Sequence, residues 1–373
     1  MDIQTKSHIV YPKNADAISI ILKLMGEVCN LNCVYCYEKR KPYVGQRMLE
    51  TKYISMLLDS LYPSPLSIEL HGGEPLLYPK SEFAKVFEII RCYKSHCTVR
   101  IQTNGTLLND AWLEFLLTEC PNIEIGISLD GDLEANGHRV DYKKINSYES
   151  ISKCLNYLSE KDVNIGVIMV VNSINHEKFV NCLSEFSKYT CIKTVKFVPC
   201  FDIGLYKSTE AKEWAISPRQ YADFLINSYK HWRDQDLFKK FLIEPHFGVI
   251  KKLNGMSTIN CHYSENKCAY VYTLYPGGLI GSCDEFNKED SILTNVNELK
   301  PGQLVNIFAK SDLVTKLDKL LDKCSKCSYL STCGGGCLAT RKRLHKTDQY
   351  EEYCSYRMRF IDFISNEINH VDC

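Results

Sequence analysis

The chain has 373 residues, enough for a large catalytic domain plus a smaller one and for a sizeable buried core. Its formal net charge of +0 argues against a general nucleic-acid or anionic-membrane binder, and no apolar run reaches the length of a transmembrane helix. The first residues, MDIQTKSHIVYPKNADA, lack a basic region followed by an apolar one, so the 19 cysteines are expected as thiols or metal ligands of a cytoplasmic protein rather than as a disulfide framework.

Residues 18–200 alternate short β-branched runs with longer stretches of helical spacing. The runs Ile18–Leu24, Ser67–Leu70, Thr98–Gln102, Ile123–Ser128, Asn164–Val171 and Thr194–Val198 predict strands. Several are apolar almost throughout, as a parallel sheet covered on both faces requires. Between them Ser81–Tyr93, Asp110–Thr118, Ser147–Glu160 and His176–Lys188 predict helices. Six βα units in succession predict an α/β fold built as a partial (β/α)6 TIM-type barrel, whose chemistry belongs at the C-terminal ends of the strands. Three polar, glycine-containing motifs fall there: HGGEP after the second strand, TNGT after the third and LDG after the fourth. Residues 201–255 read as a helical connecting region, with Tyr221–Trp232 its clearest helix. From residue 256 onward cysteines become dense, the apolar periodicity fades, and PGG at 276–278 predicts a hairpin turn. The expected domains are therefore 1–200, 201–255 and 256–373.

Directly after the first strand stands Cys29-Asn-Leu-Asn-Cys33-Val-Tyr-Cys36. Thiolates are the usual ligands of an iron–sulfur cube, which normally takes four. Three within eight residues hold three irons and leave the fourth open to an amino and a carboxylate group of a ligand. The spacing also fits a buried helical stripe, but Asn30 and Asn32 interrupt it at a strand end. The CxxxCxYC pattern resembles the signature of the radical S-adenosylmethionine (SAM) superfamily. In that family the aromatic at the position of Tyr35 packs near the adenine of SAM. His71-Gly72-Gly73-Glu74-Pro75 resembles the family's GGEP motif, whose glycines admit the ligand and whose glutamate accepts from the SAM amino group. Ser128, Asp130 and Arg139 are similar to positions that contact its ribose or carboxylate, although Arg139 fits an ordinary loop residue equally well.

The second array is Cys268-x9-Gly278-x4-Cys283, then Cys324-x2-Cys327-x5-Cys333-x3-Cys337, then Cys354. It resembles the seven-cysteine pattern of the SPASM domain, and Cys261 supplies an eighth thiolate. The resemblance assigns Cys261, Cys268, Cys283 and Cys337 to one auxiliary cluster and Cys324, Cys327, Cys333 and Cys354 to another. With the SAM-binding one this gives three [4Fe–4S] clusters. Fully ligated auxiliary clusters would carry electrons rather than bind substrate. Glycines 334–336 allow a sharp turn that points backbone N–H groups at sulfur. Zinc competes for the same eight thiolates, which makes a zinc-stabilised interaction protein the non-enzymatic reading.

The resemblance implies that a 5′-deoxyadenosyl radical takes a hydrogen from substrate, which must then lose a proton and an electron. Asp284, next to Cys283, is the candidate base; a solvated carboxylate is an equal reading of it. SPASM proteins mostly modify peptides or proteins. The first reading is a maturase that installs a thioether or carbon–carbon (cyclophane) crosslink in a ribosomally made peptide. The alternative is an anaerobic sulfatase-maturating enzyme that makes formylglycine from Cys or Ser. HGGEP in place of a glutamine-bearing version and the stretch DLEANGHRVD depart from that alternative. A flavodoxin or ferredoxin is the expected electron donor. Only 28 residues precede Cys29, fewer than a winged-helix leader-binding domain needs, so any leader of the peptide or protein substrate is expected to bind at the barrel mouth, on the helices of residues 201–260 or on a separate leader-recognition protein.

Overall fold

The computed structural model describes residues 7–13, 16–38, 48–201 and 212–369. In chain order its first elements are β1 (Ile18–Lys23), α1 (Thr51–Leu61), β2 (Leu66–His71), α2 (Lys80–Cys92), β3 (Cys97–Thr103), α3 (Asp110–Glu119) and β4 (Glu124–Ser128). Then follow α4 (Tyr148–Glu160), β5 (Ile165–Val171), α5 (Phe179–Phe186), β6 (Ile192–Pro199), α6 (Pro218–Asp234), β7 (Leu242–Glu244) and α7 (His246–Leu253). Three short strands, β8 (Val271–Leu274), β9 (Leu279–Gly281) and β10 (Ile292–Asn295), precede a helical C-terminal stretch. The strict βα alternation up to β6 is the α/β pattern read from the apolar runs.

The chain divides into two compact units. The first comprises Met1–Asn30, Cys36–Gly126 and Asn266–Asp322. Here β1 lies between two parallel neighbours, with Ile20 opposite Ile68 of β2 on one side and Tyr272 of β8 on the other. Ile20, Leu22, Ile68 and Leu70 are fully buried, because the alternate side chains of a strand face one side of the sheet and find a continuous apolar layer there. The hairpin expected at residues 276–278 joins the antiparallel strands β8 and β9. Gly277 and Gly278 sit at φ 83° and 78°, which only glycine adopts without strain.

The second unit comprises Leu31–Tyr35, Ile127–Glu265 and Lys323–Cys373. Within it β5, β6 and β7 are parallel, in that order. Helix α6 begins at a capping box in which Ser217 and Gln220 satisfy each other's backbone N–H groups, with Pro218 at its first turn. It packs against the long helix Gln349–Asn369. That helix buries Tyr353, Tyr356, Arg357, Phe360, Ile361 and Ile364, a helical stripe made partly of polar residue types. Among the described residues no helix is long and apolar enough to cross a membrane.

Candidate active site and cluster ligands

In the first unit the chain leaves β1 through a turn closed by Gly26 N–H to the Lys23 carbonyl and Val28 N–H to the Met25 carbonyl, which delivers Cys29. The HGGEP segment braces this turn. Glu74 N–H donates to the Val28 carbonyl at 2.8 Å. Gly73, at φ +55°, lies so close that a Cβ there would stand 1.9 Å from the Val28 oxygen. The glycines predicted to admit a ligand therefore also admit the cysteine loop itself. Glu74 is fully buried; its carboxylate accepts from Leu76 N at 3.0 Å, Thr103 Oγ1 at 2.5 Å and Asn104 N at 2.8 Å. Asn104 Nδ2 in turn donates to Asn30 Oδ1 at 2.8 Å and points at Cys29 Sγ at 3.7 Å. TNGT thus has a part the sequence did not assign: it ties the end of β3 to Glu74 and to the first cysteine.

A buried charge cluster lies at the same strand ends. Lys23, the last residue of β1, has no exposed surface. Its Nζ donates to Asp284 Oδ2 at 2.6 Å and Glu38 Oε1 at 2.8 Å, and lies 3.0 Å from His71 Nδ1. An ammonium has three N–H donors, and these three acceptors take them all. Tyr37 adds a phenolic donor to Asp284 Oδ2 at 3.0 Å. Burial alone would depress the Lys23 ammonium, but Asp284 and Glu38 outweigh it and hold its pKa above the ordinary lysine value. Burial and the Lys23 cation push the His71 imidazole below its ordinary value, so it is neutral at pH 7 and Nδ1 is the acceptor. Asp284 was expected; Lys23, Glu38, Tyr37 and His71 were not assigned roles. One signal was present, a lone lysine closing the otherwise apolar run ISIILKL.

In the second unit, residues 31–35 of the cysteine loop are stitched to 138–141 by backbone bonds, Asn32 N to the Val140 carbonyl at 2.6 Å and Val34 N to that of His138 at 2.9 Å. Three residues singled out separately prove to be one network. Tyr35 OH donates to Asp130 Oδ2 at 2.5 Å and accepts from Arg139 NH1 at 3.0 Å. Asp130 also accepts from Val170 N, and burial raises its carboxyl above the usual range although Arg139 opposes the shift. Ser128 ends β4, half-buried.

None of the described cysteines is paired in a disulfide. Cys29 and Cys36 lie in the first unit and Cys33 in the second, all half-buried. Cys268 opens the turn into β8 and Cys283 follows β9, whereas Cys261 and Cys337 belong to the second unit. Cys324, Cys327, Cys333 and Cys354 come together. They line one cavity of about 180 Å³, with Gly335 and Arg341. The three glycines before Cys337 all have positive φ, between 59° and 79°. A Cβ at Gly334 would stand 2.6 Å from the Ser264 oxygen. Arg357 Nε points at Cys333 Sγ at 3.1 Å, and Arg341 NH2 at Cys354 Sγ at 3.5 Å. Burial opposes ionisation of the Cys333 thiol, but Arg357 outweighs it and its pKa lies below the ordinary value. Four sulfurs around a cavity with cationic donors aimed at two of them fit an anionic cluster. Among the other cysteines Cys154, Cys182, Cys191 and Cys200 are buried, with burial pushing the Cys154 thiol up to about 12.

Comparison with known proteins bears on this arrangement. Residues 24–186 match the family model of the radical SAM superfamily. Over 398 residues the chain is 26% identical to the serine-type anaerobic sulfatase-maturating enzyme of Bacteroides thetaiotaomicron, covering 96% of this chain and 94% of that enzyme. The solved structure of native anSMEcpe with AdoMet and Cp18Cys peptide bound superposes with a TM-score of 0.79 at 22% identity, covering 95% of this chain and 100% of that one. Streptococcus suis SuiB, bound to its precursor peptide SuiA, gives a TM-score of 0.63 at 18% identity, covering 90% and 75%. The structural likenesses show the fold: an α/β partial barrel with a parallel sheet and a cysteine-rich C-terminal region. The family match makes residues 24–186 a radical SAM region, and the enzymes of that superfamily use SAM and a [4Fe–4S] cluster. Along nearly its whole length the chain is similar to an anaerobic sulfatase-maturating enzyme, and it shares its fold with SuiB.

Proposed function

We propose that the chain oxidises a side chain of a ribosomally made peptide, installing a thioether or carbon–carbon crosslink, with Asp284 as the base. Cys29, Cys33 and Cys36 would hold the cluster that, with SAM bound, would supply a 5′-deoxyadenosyl radical for hydrogen abstraction from substrate. The chain's own residues do the rest. Gly72, Gly73 and Glu74 hold the cysteine loop and receive the SAM amino group. The network of Tyr35, Asp130 and Arg139, with Ser128, orients the remainder of SAM. Asp284 takes the proton that substrate loses, and Lys23 keeps that carboxylate ionised before the transfer. His71, neutral and hydrogen-bonded to the same ammonium, offers the proton a way out of the buried cluster.

The buried ammonium shared by Asp284, Glu38 and His71 carries this reading. A carboxylate buried except for a small exposed edge, beside a fixed cation, is positioned for proton transfer rather than for solubility. Cys261, Cys268, Cys283 and Cys337, and Cys324, Cys327, Cys333 and Cys354, would hold two auxiliary clusters that could accept the electron substrate loses, and a flavodoxin or ferredoxin would supply the reducing electron. The substrate is a peptide, as in the solved relatives, delivered with or without a separate leader-recognition protein. Formylglycine formation on a Cys or Ser is the second reading, favoured by the match to sulfatase maturases along nearly the whole chain.

Anaerobic co-expression with candidate substrates followed by mass spectrometry separates the two. A crosslinked peptide lacking two hydrogens and unreactive toward hydrazines supports the first, and a hydrazine-trapped aldehyde the second. Asp284→Asn is expected to form 5′-deoxyadenosine while releasing little product. Unimpaired product formation by that variant would remove Asp284 from the chemistry.

A further inference from the structure

Arg341 and Arg357 are almost completely buried, at 1% and 0% exposure. Among the described residues neither forms an ion pair with a carboxylate. The partners of Arg357 are Cys333 Sγ, the carbonyls of Cys333 (2.9 Å) and His262 (2.6 Å), and the Tyr356 hydroxyl (3.1 Å), with the Tyr263 ring 4.1 Å from its guanidinium carbon. Those of Arg341 are Cys354 Sγ and the Gly335 carbonyl, and its NH1 is a buried donor with no partner. Burying one guanidinium without a counter-charge costs several kcal/mol, and here there are two. Carbonyls and phenols do not neutralise them. Among the described residues the cavity is lined by one carboxylate, Glu351, which pairs with Lys323 at 2.9 Å, so the anionic groups the two guanidiniums face are the sulfurs of Cys324, Cys327, Cys333 and Cys354, and whatever those sulfurs hold.

We propose that Arg341 and Arg357 are the built-in counter-charges of the cluster on these four cysteines and that they raise its reduction potential. The inference rests on the assignment of an auxiliary cluster to this cavity. Four thiolates around a four-iron core leave a net charge of two negative when oxidised and three when reduced. Two fixed cations match the oxidised charge. They stabilise the additional electron further because it increases the anionic charge beside them. Hydrogen bonds from Nε and NH2 to sulfur act in the same direction. The couple moves one electron and transfers no atom. The two arginines are positioning residues that act through the sulfurs.

The test is an anaerobic potentiometric titration of the holoenzyme followed by electron paramagnetic resonance. The signal of interest is the one lost in Cys324→Ser. In Arg357→Gln, which keeps a donor but removes the charge, the reduced-to-oxidised ratio of that signal at fixed potential is expected to fall at least tenfold, about 59 mV for a one-electron couple. The other signals and the iron content stay as in the wild type. An unmoved midpoint with full iron overturns the proposal. If Arg357→Gln loses the cluster, Arg357→Lys decides. A retained cluster with a smaller downward shift supports tuning, whereas loss of iron there too makes the guanidinium merely structural and overturns it. Wild-type protein with iron and sulfide for one cluster only would instead sink the auxiliary-cluster assignment.

Discussion

Replacing Lys23 by methionine tests the charge cluster at the ends of β1 and β2. Methionine retains the length and apolar stem but leaves Asp284 and Glu38 facing each other with no cation. Lys23 is wholly buried, and the Asp284 and Glu38 side chains are 9% and 7% exposed, so solvent screens them little. Removing one partner of a buried ion pair costs about 3–5 kcal/mol, chiefly because the remaining charge is stranded. Two carboxylates are stranded here, which places the expected loss at the upper end of that range. The assay is anaerobic chemical denaturation of the holoenzyme, comparing Lys23→Met with Lys23→Met/Asp284→Asn. The double variant removes one stranded charge, so it is expected to be more stable than the single one by at least about 1 kcal/mol, a coupling typical of contacting residues. A single variant within about 0.5 kcal/mol of wild type, the range of ordinary surface changes, would refute the reasoning. So would strict additivity of Lys23→Met and Asp284→Asn.

Gly73→Ala pushes a Cβ into the Val28 carbonyl at 1.9 Å and is expected to abolish iron binding at the three-cysteine loop, read as iron content and 5′-deoxyadenosine yield. Gly255→Ala, also at positive φ but with nothing within 4 Å, is the control and costs about 1–2 kcal/mol without loss of iron. His246 is fully buried, with Nε2 donating to the Leu225 carbonyl at 2.9 Å, and burial lowers its pKa to about 3. Its folded form therefore binds a proton less readily than the unfolded chain, whose value is about 6.5. Stability falls as pH drops below about 6.5, by about 1.4 kcal/mol per unit toward pH 3. The same denaturation measured at pH 7.5 and 5.5 is expected to lose about 1.4 kcal/mol more in wild type than in His246→Phe; equal losses would remove His246 as the cause.

Much of the barrel was legible because its strands are apolar runs between turn residues: Asn164–Val171 and Ile18–Leu24 differ from β5 and β1 by a single residue each. The C-terminal region was less legible. Its long helix buries Tyr353, Tyr356 and Arg357 on the same face as Phe360, Ile361 and Ile364, so the helical period is present but written in residues that read as polar. β7 has three residues, too short for any pattern to show. At the site, CxxxCxYC and GGEP announced themselves through local spacing. The partners of Asp284 did not, because Lys23 stands 261 positions away in sequence and only the pairing of β1 with its neighbours brings them together. The sulfur-directed arginines were hidden for the same reason: Arg357 follows Cys333 by 24 positions on a different helix.

Anaerobic quantification of 5′-deoxyadenosine formed from SAM by dithionite-reduced enzyme tests the central claim most directly. The account predicts its formation by wild-type protein and none by the Cys29→Ala/Cys33→Ala/Cys36→Ala variant, whose C-terminal cysteines keep their iron. Wild-type protein with its full complement of iron and sulfide that leaves SAM intact would contradict it, as would equal cleavage by the triple variant.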